Sequence, residues 1–554
     1  MAVTNDMVAA ENVLIFQRWI WAAQGIGKLF SGATLPIGWG EYYWAPSRVM
    51  PLGDLAITEF PLFTFLYSDL HAHMIALPLT VLAIAWTLST LLARKLSGWS
   101  WLATLAFGGL VIGVLRPTNT WDFPTYLVLG AIVTGYAIFR YAGRGEFQSK
   151  VVSRFGLAPV IQRALLAVIG MGALVGFALL LYQPFAQWYG LAYSQVSQWT
   201  NEKTPIWSYW THWGLFLFVI TSWMLWETRQ WLAQTPLSGL KKLVPYELAI
   251  EMGIAVLVSI LLALQFILNV PVAWFAFPIA VWALILMMRP GQPDEKRLVL
   301  FMVGTGLVLT LIVEFVVLSG DIGRMNTVFK FYLQVWVLFA VSSAAALGWI
   351  LAEFHEWGRI GKSVFQVVGS LLLAGAVLFT FTASMDKIRD RMAPNVPFTF
   401  DSITYMQYST YWDQSNMNLS QDYRAIRWMQ DNVKGSPVIV EANTVEYRWG
   451  TRFTIYTGLP GVVGWSWHQR QQRALYPGDW VTGRIQEISD FYNTRNIASA
   501  RAFLTKYDVK YIVLGQLERN LYSPSGMAKF EQGNGNMWKT VYSDSGTIIY
   551  EVLP

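Results

Sequence analysis

The chain has 554 residues, of which 54% are apolar and 13% are charged, with a net charge of +6 and no cysteine. So apolar a composition excludes a soluble protein of this length, because the apolar side chains must face lipid. The small positive charge gives no reason to expect a nucleic-acid partner, and the lack of cysteine excludes disulfides and thiolate metal sites.

The first 73 residues are predicted to form an extracytoplasmic or interfacial segment. Residues 1–11 lack the basic and apolar regions of a secretory signal. Residues 12–31 are apolar but carry Arg18 and Lys28, which favours a helix lying in the membrane interface over a span.

Ten windows follow that are long and apolar enough to cross a bilayer, since about 20 residues cover about 30 Å of hydrocarbon. They are 74–94, 99–115, 123–140, 164–184, 210–227, 247–269, 272–288, 298–318, 331–352 and 363–384. Residues 74–384 are therefore predicted to form a transmembrane helical bundle with ten spans.

The loops between these windows predict the orientation, because Lys and Arg accumulate in cytoplasmic loops. One alternate set of loops carries fifteen basic residues, and the other carries only Arg116, Lys203, Arg324 and Lys330. The second set is therefore expected outside. We predict a multi-pass protein of the cell membrane whose C-terminus is extracytoplasmic.

Residues 385–554 predict an extracytoplasmic mixed α/β domain. Apolar residues recur at helical spacing in 421–433, and a second helix is expected at 497–507. Short β-branched runs at 438–442, 511–515 and 547–552 predict buried strands. The fold class is thus a polytopic α-helical membrane protein of about ten transmembrane helices with this α/β domain at its C-terminus.

A loop at 464–473 is unusually rich in aromatic and basic residues for a solvated turn. Trp467, His468 and Arg470 are its candidate substrate-binding residues, because aromatic faces and guanidinium groups together bind sugars and phosphates. A loop packed against the membrane surface explains the composition equally well.

The first of three polar clusters, at 57–73, runs into the first predicted span. If a helix begins near Ser68 or Asp69, Asp69 and His73 share a face, and the carboxylate can orient the imidazole as a general base. Asp69 as a simple N-cap is the alternative. His71 would point elsewhere, so a metal site of two histidines requires an extended segment. Glu59 competes for the role of base.

The second cluster, Arg116 to Asp122, joins two predicted spans by a tight outer loop. Arg116 and Asn119 are candidates for phosphate binding, and Asp122 is a candidate catalytic acid or base. Asp122 followed by Pro124 is also typical of an ordinary helix start.

The third cluster places four polar residues in one outer turn and the start of a span: Asp321, Arg324, Asn326 and Lys330. Two basic residues in an outer loop indicate an anionic partner, and Arg and Lys both bind phosphate. Internal pairing, for example of Asp321 with Arg324, or contact with lipid headgroups is the alternative. We predict that Glu59, Asp69, Asp122 and Arg324 converge around one outward-facing pocket.

Three strings carry a resemblance to a known family: ITEFPLFTFLYSDLHAHMIALPLT, LRPTNTWDFPTY and GDIGRMNTVFKFYLQVW. They resemble the signature blocks of the YYY-domain membrane-protein family, an uncharacterised family (domain of unknown function 2298), over most of residues 37–354. Members of this family usually carry further N-terminal spans and a tyrosine-rich motif, which Tyr42-Tyr43-Trp44 does not match. The resemblance therefore implies a split or truncated member, a misassigned start, or a partner subunit that supplies the missing spans.

The family in turn resembles the GT-C type glycosyltransferases, which use lipid-linked sugars. This resemblance implies a glycosyltransferase with a polyprenyl-phosphate sugar donor in which Arg116, Arg324 and Lys330 hold the phosphate and Asp69 or Glu59 deprotonates the acceptor. No cofactor is required by these residues, although a divalent metal is compatible with them. The alternative is a non-catalytic structural subunit of a larger complex that binds lipid, pigment or a partner protein.

Overall fold

The structure of the chain is a computed structural model. It describes residues 20, 23–25, 27–28, 30–32, 39–50, 56–68, 70–93, 99–141, 158–189, 195–319, 322–392, 395–472, 477 and 479–554. The chain divides into two compact units. The membrane unit comprises Met1–Trp188 and Gln195–Asp390, and the C-terminal unit comprises Tyr189–Ser194 and Arg391–Pro554.

The membrane unit is almost entirely helical among its described residues. Its α-helices are α1 (Trp39–Trp44), α2 (Pro61–Tyr67), α3 (Ala72–Leu92), α4 (Trp99–Gly113), α5 (Leu115–Thr118), α6 (Asp122–Tyr141), α7 (Pro159–Leu180), α8 (Gln183–Trp188), α9 (Ile206–Gln234), α10 (Glu247–Leu262), α11 (Ala273–Met288), α12 (Asp294–Ile312), α13 (Arg324–Glu353) and α14 (Arg359–Arg391). Two short strands, β1 (Gln195–Gln198) and β2 (Val316–Ser319), pair in antiparallel orientation.

Seven helical stretches in the described part are long and apolar enough to cross a membrane: Ala72–Leu92, Trp99–Thr118, Asp122–Tyr141, Pro159–Leu180, Leu243–Ile267, Arg324–Glu356 and Arg359–Arg391. The predicted windows at 210–227, 272–288 and 298–318 lie on α9, α11 and α12. Each of the ten windows therefore coincides with a helix over most of its length, and the multi-pass membrane architecture is confirmed. The number of crossings stays a prediction.

The ends of several helices follow from local sequence. Pro159 is the first residue of α7, where a missing N–H costs nothing. Pro293 precedes α12, and Asp294 and Glu295 in its first turn face the positive end of the helix dipole. The predicted window 298–318 is too long, because the helix ends at Ile312 and residues 316–319 pair with β1 instead.

Large aromatic side chains fill the core of the membrane unit where α9 packs on α13. Trp213 of α9 is fully buried, and its ring lies 5.0 Å from Tyr332 and 5.5 Å from Phe339 of α13.

Small residues allow other helices to approach closely. A Cβ atom on Gly109 of α4 would lie 2.3 Å from the Cβ of Phe177 of α7, so only glycine fits there.

Two helices of the membrane unit differ from the other candidate spans in their burial. No residue is buried in the apolar windows of Leu243–Ile267 and Arg359–Arg391. In the other candidate spans, 22–61% of the residues of the window are buried. The stretch Leu243–Ile267 contains α10 and continues as a short π-helical turn, Ala263–Ile267.

The C-terminal unit is a mixed α/β domain. Its elements are β3 (Thr410–Asp413), β4 (Ser415–Asn418), α15 (Leu419–Asn432), β5 (Val438–Val440), α16 (Arg452–Thr457), α17 (Ser466–Gln472), α18 (Asp479–Asn493), α19 (Ile497–Lys506), β6 (Val509–Leu514), α20 (Gln516–Leu521), α21 (Pro524–Gln532), β7 (Trp538–Ser543) and β8 (Ile548–Val552).

Four strands of this unit form one sheet in the order β5-β6-β8-β7, in which β5 and β6 are parallel and the other pairs antiparallel. The predicted helices at 421–433 and 497–507 and the three predicted strands are confirmed as α15, α19, β5, β6 and β8. Asn418 and Asn496 start the two helices by accepting backbone N–H groups with their side chains. Helix α18 and strand β7 were not predicted.

Candidate functional site

The start of α13 is the place where the three polar clusters come together. The backbone N–H of Ile57, in the first cluster, donates to the carbonyl oxygen of Met325 at 3.3 Å. The His73 ring packs edge-on against Phe329, with ring centroids 4.7 Å apart. Residues 325–329 therefore contact both ends of the first cluster.

The second cluster reaches the same helix two turns later. The side-chain amide of Gln334 donates to the carbonyl oxygen of Trp121 at 2.9 Å and to that of Lys330 at 3.1 Å. Trp121 also lies near Phe331, with ring centroids 6.4 Å apart. The structure thus brings segments near residues 57, 73 and 121 to one stretch of α13, residues 325–334, which we call the α13 platform.

The first cluster contains the end of one helix and the start of another. Helix α2 ends at Tyr67, and Ser68 caps it in the left-handed conformation with φ 60°. Helix α3 begins only at Ala72, after an extended His71 with φ −79° and ψ 158°. The prediction of a helix beginning near Ser68 or Asp69 is therefore wrong, because the backbone changes direction at Ser68. Asp69 itself lies outside the described residues.

His71 and His73 lie side by side at the start of α3. Their ring centroids are 5.4 Å apart, and His71 is exposed while His73 is half-buried against Phe329. His71 is extended, whereas His73 already lies in the first turn of α3. Within the described part of the chain, no three His, Asp or Glu side chains lie close enough together to hold a metal ion.

Glu59 comes two residues after Ile57, which contacts the α13 platform. Its carboxylate Oε1 accepts a hydrogen bond from Nη2 of Arg48 at 3.1 Å, and both side chains are partly exposed. Glu59 is therefore paired with Arg48 in this structure.

Asp122 is buried at the first position of α6. It accepts a hydrogen bond from the side-chain amide of Asn119 at 3.0 Å, and its own N–H donates to the carbonyl oxygen of Asn119 at the same distance. This geometry matches the helix-start alternative. Arg116, in the short helix α5, is half-buried.

Arg324 forms a buried ion pair that the sequence did not predict. Its Nη2 lies 3.0 Å from Oε1 of Glu314, and their side chains are 1% and 0% exposed. The guanidinium also donates to the carbonyl oxygen of Glu202 at 3.0 Å and to the hydroxyl of Thr204 at 2.8 Å. Arg324 is thus enclosed by protein groups, as the internal-pairing alternative expected, but with Glu314 as a partner.

Glu314 is the site residue that sequence reasoning missed. Its second oxygen accepts the backbone N–H of Thr204 at 2.9 Å, so the carboxylate ties the 202–204 loop to the start of α13. Glu314 lies inside the apolar window 298–318, and one acidic residue hardly changes the mean hydropathy of so long a window. A lone carboxylate near hydrocarbon was the available signal.

Two further residues of the third cluster, Asn326 and Lys330, lie in the described part of the chain. Asn326 and Lys330 are half-buried on the first two turns of α13. Asp321 lies outside the described residues.

The candidate residues of the C-terminal unit lie on the short helix α17. Trp467, His468 and Arg470 are exposed, and Nη2 of Arg470 lies 3.5 Å from the hydroxyl of Thr482. The Trp465 ring, one turn before, packs 6.1 Å from His468. An aromatic and basic surface is therefore present on this unit.

Comparison with protein families gives a match over much of the chain. A family model described as Uncharacterized membrane protein (DUF2298) matches residues 4–339 of the chain. No curated protein matches the chain at a significant level.

Proposed function

Because that match spans more than half of the sequence, the chain belongs to the DUF2298 family of uncharacterized membrane proteins, and we propose that it is a GT-C type glycosyltransferase. It would transfer a sugar from a polyprenyl-phosphate donor to an acceptor at the extracytoplasmic face of the cell membrane. The enzyme would bind its donor from the bilayer.

The observation that supports this proposal most strongly is the α13 platform. Ile57, His73 and Trp121 come from three separate parts of the chain, yet all three contact residues 325–334. Ionisable and polar groups are costly near hydrocarbon and persist mainly where they line a cavity or a substrate path. Their meeting at one helix end favours a single polar site.

In this proposal the donor phosphate is bound by Arg116 and Lys330, with Asn119, Asn326 and Asp321 around them. Arg324 acts through its neighbours instead, because its buried guanidinium is occupied by Glu314 and the 202–204 loop. It is a positioning residue that holds the start of α13. Within the C-terminal unit, Trp467, His468 and Arg470 are separate candidates for binding sugar or phosphate.

The base that deprotonates the acceptor hydroxyl is Asp69 or Glu59. Attack of that hydroxyl on the anomeric carbon would break the bond to the phosphate, release the polyprenyl phosphate and invert the anomeric configuration. Glu59 forms an ion pair with Arg48. His71 and His73 stand beside Asp69 in the chain and could orient it, and Asp122 fixes the loop that carries Arg116 and Asn119.

Donor binding can be tested by mass spectrometry of lipids that copurify with the full-length protein. We expect a polyprenyl-phosphate sugar with the unmodified protein and about tenfold to a hundredfold less with Lys330→Ala, since a charge-assisted contact contributes about 1.5–3 kcal/mol. Lys362→Ala, which changes a lysine of α14, is the matched control and should retain the lipid. The absence of any such lipid from all three proteins would overturn the proposal.

Chemistry can be separated from binding by sugar transfer in reconstituted liposomes. Asp69→Asn and Glu59→Gln keep the shape of each side chain but remove its ability to accept a proton at neutral pH. We expect one of them to abolish transfer while the donor still copurifies. Full activity of both would mean that neither residue is the base.

A second candidate function is a non-catalytic subunit that binds lipid or a partner protein. The internal pairing of charges favours it: Arg324 is paired with Glu314, Glu59 with Arg48, and Asp122 with Asn119. The lipid analysis and the transfer assay distinguish the two functions, because a lipid-binding subunit retains lipid but transfers no sugar.

A further inference from the structure

Two candidate spans, α10 and α14, carry charged and polar side chains on surfaces that the protein does not cover. Glu247, Glu251, Ala255 and Ser259 follow one another at intervals of four on α10, so they share one broad face. All four residues are exposed. Neither glutamate forms an ion pair or a hydrogen bond with any described residue.

The inner side of α10 points in another direction. Leu261 and Leu264 pack partly against the core of the membrane unit. At about 100° per residue, Leu264 lies roughly opposite Glu251 and Ala255 around the helix. The face that carries Glu251, Ala255 and Ser259 therefore points away from the bundle, and Glu247 lies at its edge, about 40° from Leu261. Lipid alone would be a poor neighbour for the Glu251 carboxylate, one turn into the span.

Helix α14 has the complementary surface. Arg359, Ser363, Gln366, Ser370 and Ala374 recur at spacings of three and four and are all exposed. Arg359 has no ion-pair partner in the described part of the chain. These polar and small residues interrupt an otherwise aliphatic helix.

The opposite side of α14 packs on its own bundle. The Phe365 ring stacks on Phe218 of α9, with ring centroids 5.4 Å apart, and a Cβ on Gly369 would lie 3.4 Å from the same ring. Phe365 lies well around the helix from the stripe that Arg359 begins. The basic stripe, like the acidic one, therefore faces away from the protein.

The two stripes match in direction and height. With ten spans, three helices separate α10 from α14, so both run in the same direction through the membrane. Glu247 to Ser259 and Arg359 to Ser370 each cover about 17 Å at about 1.5 Å per residue. Placed side by side, the acids of α10 meet Arg359 and Lys362 at one end, and Ser259 meets Ser370 further along. Small and polar residues of this kind drive association of membrane helices.

We propose that α10 of one copy of this chain packs against α14 of a second copy. The contact uses two different surfaces and is therefore heterologous, so it builds a ring if the rotation closes and a linear array if it does not. A second copy is favoured as the occupant because the same chain supplies both complementary charges at equal depth. This inference does not depend on the proposed enzymatic activity.

The chain contains no cysteine, so cysteines introduced singly can test the contact without a background. Two differently tagged full-length copies, one Ala255→Cys and the other Gln366→Cys, are coexpressed and oxidised in native membranes. Only a contact between copies can join them. We expect a product carrying both tags, and at least tenfold less when Gly253→Cys replaces Ala255→Cys, because residue 253 lies about 160° around the helix.

Charge exchange gives a second test of the same contact, read as the oligomer mass in lipid nanodiscs. Glu251→Lys alone and Lys362→Glu alone should each shift the protein toward monomer, and the double variant, which restores opposite charges at two positions that face each other, should restore the oligomer. No product with both tags from Ala255→Cys and Gln366→Cys would overturn the proposal, as would a double variant that stays monomeric. Either result would leave α10 and α14 to lipid or to a different chain.

Discussion

Arg324, the first residue of α13, donates a hydrogen bond to Glu314 at 3.0 Å, and neither side chain is reached by solvent. The pair joins the segment just before β2 to the start of α13, and both of its residues bind the 202–204 loop. A charge enclosed in this way is costly without its partner, because the low dielectric of the interior raises the energy of an uncompensated ion. The pair therefore sets the shape of the helix end on which the polar clusters meet.

Arg324→Ala should destabilise the protein, because it leaves Glu314 buried without a counter-charge. We expect a loss of about 3–5 kcal/mol, measured as a lower Tm of the full-length protein in detergent. Arg163→Ala, which changes an exposed arginine at the start of α7, is the control and should leave Tm nearly unchanged. Arg324→Met combined with Glu314→Met should recover part of the loss. A Tm of Arg324→Ala equal to that of the unmodified protein would contradict the structural role.

A second buried charge network lies in the C-terminal unit. Arg452 donates to both carboxylate oxygens of Glu518, at 3.0 and 2.9 Å, and to Asp422 at 2.7 Å. Burial alone would raise the pKa of Glu518, but Arg452 and the backbone N–H groups of Ala442 and Gly515 hold it below its ordinary value. Burial raises the pKa of Glu441, which lies farther from Arg452, at 3.7 Å.

This network predicts a specific loss of stability in acid. Because the pKa of Glu518 is lower in the folded than in the unfolded protein, its contribution is complete above the unfolded value of about 4.3 and is lost as the pH falls through the folded value. Glu518→Gln should remove that contribution at neutral pH and flatten the stability change below pH about 4.3. Hydrogen exchange of β6 and β8 peptides, corrected for the intrinsic pH effect, would measure it. An acid profile identical to that of the unmodified protein would show that the pair contributes nothing.

The sequence predicted the large elements because each of them depends on a local pattern. Apolar windows located the helices of the membrane unit, and the spacing in 421–433 located α15. The turn at Ser68 could not be predicted, since a left-handed conformation is uncommon for serine and depends on the surrounding contacts. For the same reason the start of α3 at Ala72 was not predicted.

The charge pairs could not be predicted from local sequence patterns. Glu314 and Arg324 are ten residues apart but are joined through Thr204, and Arg452 meets Asp422 and Glu518 from distant segments. In a sequence, such residues look like ordinary solvated charges. Their burial follows from long-range packing, which no window or spacing encodes. The sequence offered one general reason to expect the polar clusters to meet: polar groups at the ends of spans are costly unless they share a site. It did not indicate α13 as the meeting point.

Close packing makes one glycine of the C-terminal unit irreplaceable. A Cβ on Gly526 in α21 would lie 2.3 Å from the carbonyl oxygen of Tyr492 and 2.6 Å from that of Asn493. Because both contacts are with backbone atoms, Gly526→Ala should displace α21 from α18 and lower the free energy of unfolding by about 1–3 kcal/mol. The measurement is hydrogen exchange of α21 and α18 peptides in the full-length protein.

Gly483 provides the matched control for that substitution. It lies inside α18, and a Cβ there would have no neighbour within 4 Å. Gly483→Ala should therefore slow exchange and stabilise the helix by up to about 1 kcal/mol, since alanine favours helix and restricts the unfolded chain. If the two substitutions changed exchange in the same direction, the packing of α21 on α18 would not be the cause.

The orientation of the protein can be tested with cysteines as well, because the chain has none of its own. Phe400 in the C-terminal unit is 98% exposed, and Ile360 at the start of α14 is 82% exposed, so a cysteine at either position should react readily. The bias of Lys and Arg toward one set of loops predicts that Phe400 is outside and Ile360 in the cytoplasm. A membrane-impermeant maleimide should therefore label Phe400→Cys in intact spheroplasts, and Ile360→Cys only after permeabilisation.

Labelling in the reverse order would place the α13 platform on the cytoplasmic side, where Arg116 and Lys330 could not serve an extracytoplasmic donor. Labelling of both positions in intact spheroplasts would mean that Phe400 and Ile360 face the same side, and that α14 does not cross the membrane.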